Sequence, residues 1–313
     1  MKIVTIGGGT GTYQMLRGLK GFDITAIVSM VDSGGSSGVL RDEYGMLPPG
    51  DIRKSIIALS QSPSLMKEIF SYRFAKGGLK GHNLGNLIIT ALADITGSPD
   101  AAIREAGNIL NIKGRVLPVT VDDVNLCAEL EDCTIIKGET HIDVPEHDPN
   151  IAVRKVFLEP QARIYCDCKD VLMEANLIII GPGDLYTSII PNLLVRGIVR
   201  AIDKSKAKKI YFCNIMTKHG ETTGFKASDF VLEIEKYLGK DVLDYIVVNS
   251  KKPSKDILEK YKKQNAEFVE DDINRMQTMR GIRVDLLNES DILRHDPKKL
   301  EKFFSKNFLQ KLI

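Results

Sequence analysis

The chain has 313 residues, 43% of them hydrophobic, with 43 Lys and Arg against 41 Asp and Glu and a net charge of +2. This composition is globular and excludes a disordered chain, a collagen and a small disulfide scaffold; the length suits one large domain or two smaller ones. Charges that nearly cancel argue against a long nucleic-acid partner, and the basic stretches at 251–263 and in the last twenty residues read as solvated helix faces.

Lys2 to Ile6 reads as a central parallel strand, because its apolar character is nearly continuous. Gly7 to Gly11 form a turn, Thr12 to Leu19 a helix, and Asp23 to Met30 the next strand. A second glycine-rich loop runs from Asp32 to Arg41. Helices follow at Ile52–Leu59, Pro63–Arg73, Asn83–Leu92 and Ala101–Leu110. From Arg115 the pattern turns to short extended pieces: Val116–Val121, Cys133–Lys137 and Arg163–Tyr165. Strands at Asn176–Ile180, Lys209–Cys213 and Tyr245–Val248 then alternate with helices at Ile190–Ile202 and Ser228–Leu238. A helix at Ile257–Lys263, a strand near Phe268 and a helix at Pro297–Phe308 complete the chain. The reading is one elaborated α/β domain over 1–313, with an antiparallel insertion at 113–170 and a C-terminal α/β extension at 250–313.

Five cysteines, Cys127, Cys133, Cys166, Cys168 and Cys213, make no disulfide framework, and the Cys166/Cys168 pair alone makes no zinc site. The opening strand is not a secretory leader, and no apolar run approaches a membrane span. The expectation is a soluble cytoplasmic protein.

The chemistry concentrates in the loops. Gly7-Gly8-Gly9-Thr10-Gly11 lies between a strand and a helix, where open backbone amides attract phosphate. The dinucleotide fingerprint lacks its last glycine, since Thr12 stands there, and no Walker ending follows. Asp32 opens the second loop and Asp51 follows Pro48-Pro49-Gly50; side by side they would form a site for a hard divalent cation. An Asx turn at Asp32 and a helix cap at Asp51 are the plain alternatives. Arg41 and Arg53 could neutralise phosphate oxygens or sit in ion pairs. His82, Asn83 and Asn86 offer proton exchange and amide hydrogen bonds, or simply packing and an N-cap. Asp122-Asp123 reads as a solvated turn or a further acidic pair. Gly181-Pro182-Gly183-Asp184 ends a strand and could meet the first glycine turn across a crevice; Thr217 to Thr222 could form cleft or lid.

Taken together, GGGTG at 7–11, VDSGGSSGVLRDEYGMLPPGDIRK at 31–54, GHNLGN at 81–86, VTVDDVNL at 119–126 and GPGDLYTSIIPNLLV at 181–195 resemble the YvcK-type gluconeogenesis factor family, within the 2-phospho-L-lactate transferase superfamily. The resemblance continues more faintly at Arg294-His295-Asp296-Pro297. It implies a Rossmann-like three-layer sandwich with a mostly parallel sheet. It further implies a cytoplasmic factor that binds UDP-sugars such as UDP-N-acetylglucosamine and supports cell shape during gluconeogenic growth, without an established reaction. By this resemblance Gly8, Gly9, Thr10 and the Gly183 loop surround the nucleotide, and Tyr261 and Arg294 contact it from the C-terminal part.

The expected nucleotide set is Gly8, Gly9, Thr10, Gly11, Arg41, His82, Asn83, Asn86, Gly181, Gly183, Asp184, Tyr261 and Arg294, with Asp32 and Asp51 for a metal. A magnesium-dependent transferase using Asp32, Asp51 and His82 is one alternative. The superfamily's proline loop is more acidic than Pro48-Pro49-Gly50-Asp51, which weighs against it. An NAD-binding protein is the other alternative. A morphogenesis protein as partner and a homo-oligomer stay open; no nucleic acid and no membrane span are expected.

Overall fold

The computed structural model describes residues 1–145, 147–276, 279–288 and 292–305. Seven parallel strands form the central sheet: β1 (Lys2–Gly7), β2 (Asp23–Val28), β3 (Arg115–Pro118), and, beyond an inserted antiparallel sheet of β4 (Asn125–Leu130), β5 (Ile135–Lys137) and β6 (Val153–Glu159), β7 (Leu177–Ile180), β8 (Lys208–Phe212), β9 (Tyr245–Asn249) and β10 (Arg280–Val284). The spatial order is β10-β9-β8-β7-β1-β2-β3. A two-residue pair, Leu287–Asn288 with Arg294–His295, lies beyond the sheet.

This order follows from apolar strands that must be covered on both faces. Ile3, Val4, Ile6 and Leu177 to Ile180 are all at most 1% exposed. In register, Ile3 faces Leu177 on one side and Ile24 on the other, and Ile6 faces Ile180 and Ile27. The chain therefore runs outward from β1 through β2 to β3, then returns to the other side of β1 and runs outward again from β7 to β10. The reversal falls between β1 and β7, the place where open α/β sheets form a crevice at their strand ends. On the outer strand β3, Pro118 carries no N–H to offer another sheet.

Six helices precede β3: α1 (Gly9–Gly18), α2 (Gly35–Tyr44), α3 (Pro49–Leu59), α4 (Ser64–Ser71), α5 (Leu84–Thr96) and α6 (Pro99–Ile109). Two differ from the sequence expectation. Helix α1 starts at Gly9 rather than Thr12, so Gly9 and Gly11 lie in its first turn. Helix α2 occupies what reads as a glycine-serine loop. Burial of Leu40 and Arg41, and the close fit of Gly38 on the Ser33 backbone, override the poor helix propensity of Gly and Ser.

The later chain also departs from expectation. The inserted sheet occupies 125–159, and 115–118 belongs to the main sheet. Arg163 makes only an isolated bridge with Arg196, and Cys166–Glu174 is helical. The expected helix at 190–202 is broken into Ile190–Leu193 and Ile198–Lys204, with Gly197 at φ 106° between them. Phe268 forms an isolated bridge with Met216, and the outermost strand is β10. The last helix spans Pro297–Phe303; its expected end at Phe308 lies outside the described residues. Near the C-terminus, Ile215, Leu287 and Leu293 gather with Met216, Ile257, Tyr261 and Phe268 in a small cluster apart from the main core.

Candidate functional site

The two glycine loops meet at the switch point. A Cβ on Gly11 would lie 2.6 Å from the Pro182 carbonyl carbon and 3.0 Å from the Gly183 nitrogen. A Cβ on Gly183 would lie 3.5 Å from the Gly8 oxygen. Glycine is what lets the backbones approach this closely. From the end of β8, the Asn214 amide donates to the Gly183 carbonyl at 2.9 Å and joins a third loop to the pair.

Over these loops opens a cavity of about 420 Å³, within the range of small-molecule sites. Gly9, Thr10, Gly11 and Gln14 form its floor, with Pro182, Gly183, Asp184 and Ser188 beside them. Asn214 to His219 form one wall, and Tyr261, Gln264, Leu293, Arg294 and His295 form the other. Helix α1 opens here with Gly8 as its N-cap, no side-chain cap and no acid in its first turn. Its dipole and amides therefore favour an anion. The Gln14 side-chain oxygen is buried without a partner in the cavity floor. The Tyr261 hydroxyl accepts the Leu293 N–H at 2.9 Å, which ties the C-terminal wall together. Burial pushes His295 down to about 4, so it stays neutral at ordinary pH.

A second chamber of about 170 Å³ adjoins the first and shares Gly9, Thr10, Asp184 and Ser188 with it. Asp32, Asp51, Lys54, Glu139 and Asp143 line its far side. Glu139 and Asp143 sit on the short helix Glu139–Asp143 of the insertion. That helix docks on the second glycine loop, where the Thr140 N–H donates to the Ser33 hydroxyl at 3.0 Å. Burial, with Asp32 and Asp143 nearby, pushes Glu139 up to about 8. Burial and then Asp51 raise Asp32.

The structure thus brings Asp32 and Asp51 together, yet both carry partners. Asp51 accepts the Gly9 N–H at 2.7 Å and pairs with Lys54 at 2.9 Å. It anchors the first turn of α1 from the first turn of α3, so the capping reading holds for a neighbouring helix. Asp32 accepts the Gly34 N–H at 3.0 Å in an Asx turn. Among the described residues no group of three His, Cys, Asp or Glu is arranged to hold a metal ion. Lys54 already supplies the positive charge, so a divalent cation fits only if that lysine moves aside.

Six expected nucleotide residues line neither cavity: Gly8, Gly181, Arg41, His82, Asn83 and Asn86. Arg41 is buried and committed elsewhere, donating to Asp123 at 2.6 and 2.9 Å and to the Val124 carbonyl at 2.7 Å. It clamps α2 to the start of the insertion and does not face a phosphate. Its partner Asp123 is the second acid of the pair noted in the sequence. His82 lies 3.5 Å from the Ser36 hydroxyl. Asn83 caps α5 by accepting the Asn86 N–H at 3.2 Å. Asn86 in turn donates to Ser36 and accepts from Arg53 at 2.8 Å. These three brace the loop that carries Asp32. Gly8 and Gly181 shape the loops from behind, while Gly9, Thr10, Gly11, Gly183, Asp184, Tyr261 and Arg294 line the main cavity.

Sequence reasoning did not single out Gln14, Gln264, Glu139, Asp143 or the central role of Lys218. Lys218 pairs with Asp143, with Asp184 at 3.4 Å and with Glu221 at 2.7 Å. Burial opposes its charge, but Glu221, Asp184 and Asp143 outweigh that and raise it well above its ordinary value. Burial pushes Glu221 up to about 8 against the pull of Lys218. The signal for Lys218 was its place in a polar loop after a strand. Glu139 and Asp143 carried none, because they arrive from the insertion.

Fold and cleft together define a Rossmann-like α/β protein with a crevice at its topological switch point. The family model of 2-phospho-L-lactate transferase CofD matches residues 3–287, and the chain belongs to this family. A relative from Thermotoga maritima is 47% identical over 309 residues, covering 96% of this chain and 97% of its own. The gluconeogenesis factor of Bacillus subtilis is 45% identical over 306 residues, 96% of this chain and 95% of that protein. The crystal structure of a UPF0052-family protein from Bacillus halodurans superimposes with a TM-score of 0.93 at 40% identity, covering 97% of this chain and 99% of that one. No helix among the described residues is long and apolar enough to cross a membrane.

Proposed function

We propose that the protein is a UDP-sugar-binding factor that acts in the cytoplasm during gluconeogenic growth. One observation supports the ligand class: the glycine-rich N-terminus of α1, held at Gly9 by Asp51, opens at the junction of two contiguous cavities. The phosphates lie over Gly9 to Gly11, and Arg294 takes the place beside them once assigned to Arg41. The base and ribose lie against Tyr261, Leu293 and the Asn214 loop, where apolar and amide groups alternate. The relatives named gluconeogenesis factor support the physiological setting. Ligand binding draws the C-terminal wall onto the glycine loops, and a morphogenesis protein reads the altered surface.

The test is a calorimetric titration of the purified chain with UDP-N-acetylglucosamine, NAD and GDP, with and without magnesium. Saturable binding of the UDP-sugar is expected, and its absence under every condition rejects the reading. A second reading, a magnesium-dependent group transferase, is favoured by the family model and by the paired Asp32 and Asp51. Its mark is a cation-dependent turnover lost in Asp32→Asn and Asp51→Asn while nucleotide binding survives.

A further inference from the structure

The placement of nucleoside and phosphates proposed above leaves the acidic chamber unfilled, and its chemistry restricts what can enter it. Carboxyl groups reach it from three parts of the chain: Asp32 and Asp51 from the loop ahead of α2 and the first turn of α3, Asp143 and Glu139 from the insertion, and Asp184 from the switch-point loop. Glu139, raised to about 8, is protonated near neutrality. Both neighbouring ammonium groups are already paired. Lys54 is held by Asp51 at 2.9 Å, and Lys218 by Asp143, Asp184 and Glu221. Among the described residues lining the chamber, none offers an unpaired cation. A separate observation points to a ligand: Ser29 lines the chamber and is 3% exposed, and its hydroxyl has no hydrogen-bond partner. Buried polar groups are normally satisfied, and a ligand hydroxyl would satisfy this one.

The shared wall sets the direction of entry. Gly9 and Thr10 border both spaces. With the nucleoside in the larger cavity and phosphates over that wall, a group attached to the distal phosphate is directed into the chamber. Carboxylates accept hydrogen bonds from hydroxyls and repel another carboxylate, the more so where water is scarce.

We propose that this chamber receives the group carried on the distal phosphate and selects an uncharged, hydroxyl-rich group over one bearing a carboxylate. The inference rests on the UDP-sugar reading and adds the specificity of its second half.

UDP-glucose and UDP-glucuronate differ only in a carboxylate replacing a hydroxymethyl group, so they probe this directly. Calorimetric titration of the full chain with both, and with UDP alone, is expected to rank UDP-glucose tightest. UDP-glucuronate is expected to bind at least tenfold more weakly. In Asp184→Asn, or in Asp143→Asn should the first fail to fold, that gap is expected to shrink to threefold or less. Equal affinity for the two sugars, UDP alone binding as tightly as UDP-glucose, or an undiminished gap in the folded variant would each overturn the proposal. If UDP itself fails to bind, the nucleotide reading falls and takes the proposal with it. That outcome is distinct from tight UDP binding without sugar discrimination.

Discussion

The junction of the two glycine loops makes a quantitative prediction at Gly11. Its backbone is not in the left-handed region, so alanine there meets no conformational penalty. In an open helix that substitution would gain about 1 kcal/mol from helix propensity. Here the added methyl overlaps the Pro182 carbonyl oxygen and comes within 2.6 Å of its carbon. Backbone lies on both sides, so no side chain can rotate away, and overpacking of this kind costs about 3 kcal/mol. The net loss in Gly11→Ala is about 2 kcal/mol, or about 3 °C in Tm for a chain of this length. Forcing the loops apart also widens the phosphate seat, so UDP affinity is expected to fall about tenfold. Thermal melts by circular dichroism and calorimetric titration measure the two effects. Gly78→Ala is the control, because a Cβ there meets nothing within 4 Å. A Gly11→Ala protein that melts at or above the wild type and binds UDP as tightly refutes the argument that the two loops are in backbone contact.

Other expectations follow from buried charge and capping. Lys218→Met removes the ammonium shared by Asp143, Asp184 and Glu221. Glu221, already raised to about 8, takes up a proton when its partner is gone. The loss by urea denaturation is therefore expected to be about 1 kcal/mol near neutrality and to grow as pH rises above 8. A loss that does not grow with pH would show that Glu221 does not depend on this ion pair. His295 is held neutral with its folded value near 4, below the ordinary 6.5. Between those values the unfolded chain binds more protons, so stability is complete above about pH 6.5 and is lost as pH falls toward 4, by up to about 3 kcal/mol. His295→Phe is expected to flatten that acidic limb, and an identical pH profile would count against it. Asp296 accepts the Lys298 and Lys299 N–H groups at the start of Pro297–Phe303. Asp296→Ala is expected to lose about 1 kcal/mol, whereas Asp296→Asn should retain most of it in the same denaturation assay.

Much of the frame is local and was legible. Lys2–Gly7, Leu177–Ile180 and Tyr245–Asn249 are nearly continuous apolar runs because both faces are covered, and such runs announce themselves. The glycines at 7–11 and 181–183 marked two loops that pack backbone to backbone, since such close approach requires the absence of a side chain. The C-terminal contribution of Tyr261 and Arg294 came through resemblance. By contrast, β10 was invisible, because an outer strand reading Arg-Gly-Ile-Arg-Val has no continuous apolar face. Strands β4 and β6 are sheltered by each other and by the insertion, so their half-polar patterns carried little signal.

The site was divided by the same logic. Sequence by itself determined an α/β chain with glycine loops at strand ends and an acid in each of two neighbouring loops. Only the tertiary structure decided that β7 returns beside β1 and presses Gly11 on Pro182, that Arg41 turns to Asp123, and that Glu139 and Asp143 arrive to close an acidic chamber. The reason is physical. Element type is written in spacing along the chain, whereas a charged side chain's partner depends on which distant loops the strand order brings together.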